Sequence, residues 1–374
     1  MRAVDAVTAA LAARGGAAAS FLVGEPCVAP PAALREAFVR AAADGTYHYP
    51  PSAGLPRLRE VLAERHHEGG ARVAPEQVVV TAGAKGGLLA LLAALLEPGD
   101  EIIHPQPCYP AYPAMARRLG AQPVAVPETG RGFAGWAQAV ADRIGPRTRA
   151  VVIASPSNPT GTTLAAPEAE SLVALCRECG VRLVCDEAYA DFRFAVGTEA
   201  LAADFDPGRG TVVQLRSASK SWALCGWRLG WVVADAGLAA RVAARHAALL
   251  NPASGPVQAA LASLPEVPAD YLDSARTAVR RRLDAVHGVL SERGLGLERP
   301  AGGFYLWLEA DRRLPGVEDI GTSAFCLSAA RDAGVGLWPG EDFGGPGHVR
   351  IAVTSPEEAD WEASLEALVA VLAP

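Results

Sequence analysis

The sequence predicts an α/β protein whose larger part is a mostly parallel sheet covered by helices on both faces. The chain has 374 residues, a length typical of two or three domains. Half of the residues are hydrophobic, which suffices for a large buried core. Apolar strands alternate with helices through its middle, a pattern typical of parallel sheets. After about Pro268 a long charged helix and shorter elements indicate a second, smaller α+β domain.

The alternation is clearest between Gln77 and Val233, where short apolar runs separate helical stretches. The strands predicted there are Gln77–Thr81, Glu101–His104, Gln122–Val126, Ala150–Ala154, Val181–Cys185, Thr211–Leu215 and Trp231–Val233. The helices predicted between them are Ala84–Leu96, Tyr112–Leu119, Trp136–Ile144 and Pro167–Cys179. Since ligands bind at the carboxyl ends of strands in open sheets, the loops after these strands are the first candidates for function.

The smaller domain is predicted from the elements that follow Pro268. They are the arginine-rich helix Asp270–Arg293, the strand Phe304–Leu308, the helix Ser323–Ala333, the strand His348–Val353 and the terminal helix Pro356–Leu372. A further helix, Ala32–Ala43, precedes the large domain and can pack with it.

Charge and composition exclude several classes of protein. The formal net charge is −7 with both signs scattered, so no basic block suits nucleic acid. The longest apolar run, Leu88–Leu96, is too short to cross a membrane, and no signal peptide is expected. Seven irregularly spaced cysteines indicate free thiols and a cytoplasmic protein. Cys176 and Cys179 form a lone CxxC that ordinary packing explains better than a metal or redox site.

Lysine is almost absent from the chain. Of its 34 basic residues, only Lys85 and Lys220 are lysines, and the others are arginines. Because an arginine side chain stays protonated, it cannot replace lysine where a deprotonated amine must react. The two lysines are therefore the first residues to consider for chemistry.

The loop after the strand Thr211–Leu215 carries Lys220. A lysine placed after a buried strand suits a Schiff base with a carbonyl group, although a solvated lysine at a strand end is the simpler alternative. Arg228 follows eight residues later and can hold a phosphate through two hydrogen bonds. The hydroxyls of Ser217 and Ser219 can donate to the same anion.

Two other loops carry polar residues directly after buried strands. Asp186 follows Val181–Cys185, where a carboxylate is costly unless it meets a cation. A protonated pyridine nitrogen is such a cation, and it makes the ring an electron sink. A metal is the alternative, but no histidine or carboxylate cluster accompanies Asp186. Tyr189 can reach the phenolic oxygen of that ring, and so can the amide of Asn158, although its loop is also compatible with a simple turn.

The last two candidates are an anion-binding turn and an arginine in a strand. The turn Gly83-Ala84-Lys85 opens a helix, whose free N–H groups and dipole favour an anion, but alone this signal is weak. Arg350 lies in an apolar strand, where it needs an anion. A substrate α-carboxylate would serve, and an internal salt bridge is the alternative.

In this order, the five loops resemble those of the class I/II aminotransferases of fold type I, which use pyridoxal 5′-phosphate (PLP). The resemblance extends from about Gly24 to the C-terminus. It implies a large domain with a seven-stranded sheet, residues 45–268, and a small domain built from both chain ends, residues 1–44 and 269–374. It also implies PLP as cofactor, amino acid and 2-oxo acid substrates, and a homodimer with shared active sites, with no nucleic acid, membrane or metal involved.

The resemblance also implies a role for each loop residue. Lys220 matches the lysine that holds the cofactor as a Schiff base and moves the proton, and Asp186 matches the partner of the pyridinium nitrogen. Tyr189 and Asn158 match the ligands of the phenolic oxygen. The residues that match phosphate ligands are Ser217, Ser219, Arg228, Gly83, Ala84, Lys85 and, reaching the neighbouring subunit's phosphate, Tyr49.

Substrate contacts follow from the same resemblance. Tyr109 matches the aromatic residue stacked on the cofactor ring, Arg350 matches the carboxylate arginine, and Gly24 lies near the same end of the substrate. Asn158 is expected at that end as well. In one aspartate-using branch of the family, a lysine at the position of Lys85 binds a distal carboxylate, which suggests aspartate or glutamate as donor.

The sequence therefore predicts an aminotransferase that exchanges an amino group between an L-amino acid and a 2-oxo acid in a ping-pong cycle. Trp222 and Cys225 replace the less bulky residues expected after Lys220, and they either reshape the pocket or pack beneath it. The alternative is another PLP reaction, such as β-elimination, decarboxylation or oxidation, since these keep the same residues. A PLP-binding transcription regulator is disfavoured because no basic N-terminal extension is expected.

Overall fold

The computed structural model describes residues 2–14, 18–44, 48–68, 72–128, 132–194, 210–264, 268–354 and 360–372. Within these ranges, no helix is both long and apolar enough to cross a lipid bilayer. The strands described are β1 Ala19–Ser20, β2 Val78–Thr81, β3 Glu101–Gln106, β4 Gln122–Pro127, β5 Thr148–Ala154, β6 Arg182–Asp186, β7 Val212–Ser217, β8 Gly230–Val233, β9 Tyr305–Glu309, β10 Val335–Gly336, β11 Trp338–Pro339 and β12 His348–Ala352.

Helices surround these strands. They are α1 Ala3–Arg14, α2 Ala32–Ala43, α3 Pro56–Glu68, α4 Gly83–Leu95, α5 Ala111–Arg118, α6 Trp136–Ala141, α7 Ala166–Cys179, α8 Ala218–Ser221, α9 Ala236–Leu250, α10 Gly255–Ala262, α11 Ala269–Glu292, α12 Ala310–Arg313, α13 Val317–Ile320, α14 Thr322–Ser328 and α15 Trp361–Leu372.

Seven strands form the main sheet in the order β2-β8-β7-β6-β5-β3-β4. The neighbours from β7 to β4 pair in parallel, whereas β8 runs antiparallel to both β7 and β2. The α/β class and the mostly parallel seven-stranded sheet are thus confirmed. The parallel arrangement brings the loops after β5, β6 and β7 to one edge of the sheet.

Strand residues alternate between two apolar layers, as the pleat of a buried sheet requires. On β5, Val152 packs in the cluster that contains Leu91 of α4 and Val242 of α9. Val151 lies in the opposite cluster with Leu172 of α7. A third cluster joins α2, α3 and α10 to β2 and β8, so α2 packs against the large sheet.

A smaller sheet, β11-β12-β9, is antiparallel, and β1 pairs with β10 beside it. Its core takes residues from both ends of the chain, including Val7 of α1, Leu283 of α11 and Leu368 of α15. The boundaries at residues 45 and 268 remain a prediction, since residues 45–47 and 265–267 lie outside the described ranges.

Two of the predicted elements differ from the structure, and a third is described only in part. The helix predicted over Ser323–Ala333 is α14 followed by a π-helical turn over Ala329–Ala333. Gln77 ends a 3₁₀ turn that precedes β2, because Pro75 opens that turn. The terminal helix is described from Trp361, and the first residues of its predicted range, 356–359, are outside the described part.

Candidate active site

A cavity of about 340 Å³ lies where the carboxyl ends of β5, β6 and β7 face the small sheet. The residues predicted from the sequence that line it are Gly24, Ala84, Lys85, Tyr109, Asn158, Asp186, Tyr189, Ser217, Ser219, Lys220, Arg228 and Arg350. Gly83 lies behind the wall, next to Arg228. Tyr49 does not line the cavity, and it is 86% exposed. The structure therefore brings five loops that are distant in sequence into one cleft.

Lys220 lies on the short helix α8 that follows β7. The Ser217 hydroxyl caps this helix by accepting from the Ser219 N–H at 3.1 Å. The half-buried Lys220 amine donates to the Gly24 carbonyl at 2.6 Å, and it lies 3.7 Å from the Cys225 sulfur. The cap fixes the start of α8 and thereby aims Lys220 at the cleft.

Asp186 ends β6 at the floor of the cavity and is buried. One carboxylate oxygen accepts from the Tyr112 hydroxyl at 2.8 Å, and the other accepts from the Ala188 N–H at 3.2 Å. Burial raises the pKa of the Asp186 carboxyl, and these two hydrogen bonds lower it. Within the described residues, no basic side chain forms an ion pair with Asp186.

The part of the cleft next to the start of helix α4 is suited to an anion. Helix α4 begins at Gly83, and its N-cap residue Ala82 makes no side-chain hydrogen bond to the first turn. Gly83 has φ +72°, and a Cβ there would lie 2.6 Å from a terminal nitrogen of Arg228. Arg228 and Lys85 are both exposed, and with the helix N-terminus they create a positive surface.

Arg350 provides a second positive group, in β12 of the small sheet. It is 2% exposed, and it donates to the Asn158 side-chain oxygen at 2.9 Å and to the Leu22 carbonyl. Its guanidinium lies 4.2 Å from the Tyr305 ring and 4.3 Å from the Trp338 ring. Burial lowers the pKa of Arg350, and its buried Nε atom has no hydrogen-bond partner among the described residues. No internal carboxylate in the described chain pairs with Arg350, so the salt-bridge alternative does not account for it.

Several aromatic residues of the cleft were not predicted. Tyr305 of β9 and Tyr189 share a hydrogen bond between their hydroxyls. Tyr112 meets Tyr109 edge-on, with ring centroids 5.7 Å apart. Tyr112 lies close to Tyr109 because the chain turns at the start of α5, where the Tyr112 N–H donates to the Tyr109 carbonyl at 3.1 Å. For Tyr305 and Trp338, sequence offered no local signal, since their strands meet the cleft only after folding.

The two unusual residues after Lys220 have different locations. Trp222 is 1% exposed and packs in the cluster beneath the sheet, with the Arg65 guanidinium 5.4 Å from its ring. Cys225 lines the cavity, and its thiol donates to the Ser219 carbonyl at 3.2 Å. Within the described residues, no group of three or more His, Cys, Asp or Glu side chains is arranged to hold a metal.

Comparisons with known proteins agree with this architecture. The family model "Aminotransferase class I and II" matches residues 20–368. The aspartate/prephenate aminotransferase of Thermus thermophilus is 34% identical, with 95% of this chain and 91% of that protein covered. The arginine–pyruvate transaminase of Pseudomonas aeruginosa is 36% identical, with 91% and 86% covered.

Solved structures give the same result. The Thermus thermophilus aspartate aminotransferase with maleate superposes with a TM-score of 0.88 at 32% identity, with 100% of this chain and 97% of that chain covered. The N-succinyldiaminopimelate aminotransferase of Mycobacterium tuberculosis gives a TM-score of 0.90 at 27% identity, with 99% and 97% covered. The chain belongs to the class I and II aminotransferase family, and it is an aminotransferase.

Proposed function

We propose that this aminotransferase binds PLP in the cleft between the main sheet and the small sheet, with Lys220 as the residue that holds it. The observation that carries the proposal is the convergence of the Lys220 amine, the buried Asp186 carboxylate and the guanidinium groups of Arg228 and Arg350 on a single cavity of about 340 Å³. The family uses PLP, and the relatives named above transfer amino groups, so transamination is favoured over elimination, decarboxylation or oxidation.

The buried carboxylate supports the fit of this cofactor. A buried carboxylate without a cation is unfavourable, and desolvation raises the pKa of Asp186 for that reason. The protonated ring nitrogen of PLP would supply the missing positive charge. Lys220 would then receive its aldehyde, and Gly83, Ser217, Ser219 and Arg228 would receive its phosphate.

Lys220 is the proposed acid–base residue of the reaction. When bound, PLP supplies an electron sink that stabilises negative charge at the substrate Cα. The free amine of Lys220 removes the Cα proton and later returns it on the cofactor side. Asp186 would keep its negative charge beside the ring nitrogen, and the Tyr189 hydroxyl and the Asn158 amide would contact the phenolic oxygen. The Tyr109 ring would stack on the cofactor ring.

Arg350 and Asn158 are proposed to orient the substrate. Arg350 already donates to Asn158, and its unpartnered Nε shows that it has unused hydrogen-bonding capacity. A substrate α-carboxylate would accept from this guanidinium and relieve the cost of its burial. Gly24 lines the same cavity and would lie near this end of the substrate, and a side chain at this position would overlap Tyr305.

Lys85 is proposed to bind the distal carboxylate of a dicarboxylic donor. Its exposed amine lines the cavity and makes no ion pair among the described residues. The Thermus relative is named for aspartate, whereas the Pseudomonas relative is named for arginine, so the donor is a property that must be measured. If Lys85 has this role, Lys85→Ala raises the KM for aspartate and glutamate and leaves the KM for alanine unchanged. An unchanged KM for the dicarboxylates would exclude the role.

The assembly and compartment belong to the same proposal. A homodimer would place the exposed Tyr49 of one subunit near the phosphate end of the other, which explains why Tyr49 lies outside its own cavity. Cys108, Cys176, Cys179, Cys185, Cys225 and Cys326 are free thiols, as expected for a cytoplasmic protein.

The first experiment follows the absorption spectrum of the purified protein while amino acids are added one by one. A yellow cofactor band that disappears with a donor and returns with a 2-oxo acid supports the proposal and identifies the donor. Lys220→Ala should lose activity by about 10²- to 10⁴-fold, because proton transfer loses its base. Release of ammonia, CO₂ or peroxide without band recovery would favour the alternative PLP reactions, and absence of any band with added PLP would overturn the cofactor assignment.

A further inference from the structure

Tyr305 lies between a residue proposed to bind the cofactor and a residue proposed to bind the substrate. It lies at the start of β9, is 2% exposed, and lines the cavity. Its hydroxyl bonds to the Tyr189 hydroxyl, and its ring faces the Arg350 guanidinium at 4.2 Å. One side chain thus contacts both the residue proposed for the phenolic oxygen and the residue proposed for the substrate carboxylate.

The register of the small sheet fixes this contact. Arg350 pairs with Trp307, so Tyr305, two residues earlier on β9, projects from the same face. Gly24 confines the other side of the ring, because a Cβ at Gly24 would lie 2.7 Å from two carbons of the Tyr305 ring. With a strand on one side and Gly24 on the other, the hydroxyl has little freedom to move away from Tyr189.

Each of the two hydroxyls has one hydrogen, but only one of these hydrogens can lie between the two oxygens. Which tyrosine donates it determines what the other hydroxyl can do. If Tyr189 donates to Tyr305, its only proton is used and it can only accept from other groups. If Tyr305 donates, the Tyr189 proton is free to point to a third oxygen. An acceptor inside the cleft therefore favours the second arrangement, and consecutive hydrogen bonds strengthen each other.

We propose that Tyr305 is a positioning residue: its hydroxyl donates to Tyr189 and thereby directs the Tyr189 proton to the phenolic oxygen of the cofactor, while its ring supports Arg350. This inference rests on the proposed PLP function and extends it to a residue that does not touch the reacting atoms. The Tyr305 hydroxyl and the Tyr305 ring then have separable effects.

The test is a pH titration of the absorption spectrum of the PLP-loaded enzyme without substrate. A hydrogen bond from Tyr189 draws charge from the phenolic oxygen, which lowers the pKa of the neighbouring lysine–cofactor linkage. Tyr305→Phe weakens that bond and should raise the spectroscopic midpoint by about 0.5 to 1 pH unit, less than Tyr189→Phe does. The Tyr189→Phe/Tyr305→Phe double variant should equal Tyr189→Phe, because the two hydroxyls act in series.

Two further variants separate positioning from general damage. Tyr271→Phe is the matched control, since the Tyr271 hydroxyl makes no hydrogen bond to any of the described residues, and its midpoint should equal that of the wild type. Gly24→Ala keeps both tyrosines but places a methyl where the Tyr305 hydroxyl lies, so it should also raise the midpoint. It provides the test if Tyr305→Phe does not fold.

The ring is tested by steady-state kinetics. Tyr305→Phe keeps the ring and should leave the substrate KM within about twofold, whereas Tyr305→Leu should raise it because the support of Arg350 is lost. An unchanged midpoint in Tyr305→Phe, or shifts that add in the double variant, would overturn the inference. Absence of a PLP band in the wild type would instead overturn the proposed function, so the two failures are distinguishable.

Discussion

At the scale of single residues, the ionisation of the buried Asp186 depends on a neighbouring tyrosine as well as on its burial. Asp186 is buried, and the desolvation that raises its pKa is opposed by the hydroxyl of Tyr112 at 2.8 Å. Tyr112 is 1% exposed, so this hydrogen bond is sheltered from water and strong for its type. The ionised state of Asp186 therefore depends on a residue from helix α5.

Tyr112→Phe tests that dependence. Removing the donor raises the pKa of Asp186, so the carboxylate becomes protonated at a higher pH than in the wild type. Because Asp186 must be ionised to hold a cationic ring, the acidic limb of the kcat/KM profile should move up by about 0.5 to 1 pH unit. PLP affinity measured by equilibrium dialysis at neutral pH should fall about fivefold or more for the same reason.

Tyr271→Phe again serves as the control, because it removes a hydroxyl without a partner and should shift neither quantity. An acidic limb that stays in place in Tyr112→Phe would show that the backbone N–H of Ala188 suffices to keep Asp186 ionised.

The residues of the cleft could be predicted to different extents. Lys220, Asp186 and Asn158 follow buried strands, and parallel strands bring such residues to one edge without any knowledge of side-chain packing. Tyr305 and Trp338 enter the cleft through the register of β9, β11 and β12, which local sequence does not encode. Their roles required the structure.

At the scale of elements, the start of α4 combines a backbone requirement with an electrostatic one. Gly83 adopts φ +72°, which an L-residue rarely adopts, and a side chain there would collide with Arg228. The glycine therefore allows both the turn into the helix and the approach of the guanidinium to the helix N-terminus.

Gly83→Ala and Gly135→Ala form a matched pair of variants. Both glycines have nearly the same positive φ, but a Cβ at Gly135 would meet nothing within 4 Å. Both substitutions should lower the free energy of unfolding by about 1 to 2 kcal/mol in urea titrations. Only Gly83→Ala should also weaken PLP binding, by about tenfold, because Arg228 is displaced. Equal PLP affinity in the two variants would contradict a phosphate role for this wall.

A second element-scale feature is the link between the loops after β4 and β5. Glu128, after β4, accepts hydrogen bonds from the hydroxyls of Ser157, Thr160 and Thr162 at 3.2 to 3.4 Å. It lines a polar cleft of about 380 Å³. The charged and titratable groups that share this cleft are Glu298, Glu309, Arg313 and His348. Burial raises the pKa of Glu128 from 4.5 to about 7, although the three hydroxyls lower it.

The sign of the pH effect follows from that shift. The folded state holds the Glu128 proton more tightly than the unfolded state, so the stabilisation is complete below pH 4.5 and is lost as the pH rises through about 7. Glu128→Gln removes this titration, and at pH 8 it should be more stable than the wild type by about 1 to 3 kcal/mol. Thermal melts at pH 5 and pH 8 measure the difference.

The exposed Glu178 of α7 provides the control for this change. Glu178→Gln removes a carboxylate from the surface and should leave the difference between the two melts unchanged. A Glu128→Gln variant with the same pH dependence as the wild type would show that Glu128 is ionised at little cost in the folded protein.

Elements were predictable where their hydrophobic pattern was strong. The strands β5 and β6 are continuous apolar runs, and they were placed within two residues of their observed bounds. Helices α9 and α10 were not predicted, because both are rich in alanine and show little contrast with the surrounding sequence. The π-helical turn after α14 was missed because a helix-compatible sequence does not report its hydrogen-bond pattern.

At the scale of the whole molecule, the alternation of strands and helices predicted the parallel part of the sheet. The two apolar layers on its faces form because successive strand residues point to opposite sides. The order of the strands and the antiparallel direction of β8 did not follow from that pattern, because pairing between distant strands depends on the packing of the complete core. The joint core of both chain ends likewise reflects long-range packing of α1 with α11 and α15.

Tyr49 connects the proposed site with the proposed dimer. Its side chain is 86% exposed and lies outside its own cavity, so a contact with phosphate requires a second subunit. Tyr49→Phe should weaken PLP binding by about tenfold or more, since a hydrogen bond to a charged group is lost. Sedimentation velocity should give a dimer for both proteins, because the substitution removes a single hydroxyl.

Mixed dimers decide whether Tyr49 acts across the interface. Tyr49→Phe and Lys220→Ala subunits are each impaired alone, but a heterodimer of the two would contain one site with Lys220 from one subunit and Tyr49 from the other. That site is intact and the other site lacks both residues, so each heterodimer should have up to about half of the wild-type activity. Heterodimers form when the two variants are unfolded and refolded together, because equal subunits associate at random. If Tyr49 instead serves its own subunit, every site in the mixture lacks one of the two residues, and activity stays at the level of the Tyr49→Phe protein alone. Recovery above that level would therefore establish both the dimer and the shared site, because an intact site can form only when one subunit supplies Lys220 and the other supplies Tyr49.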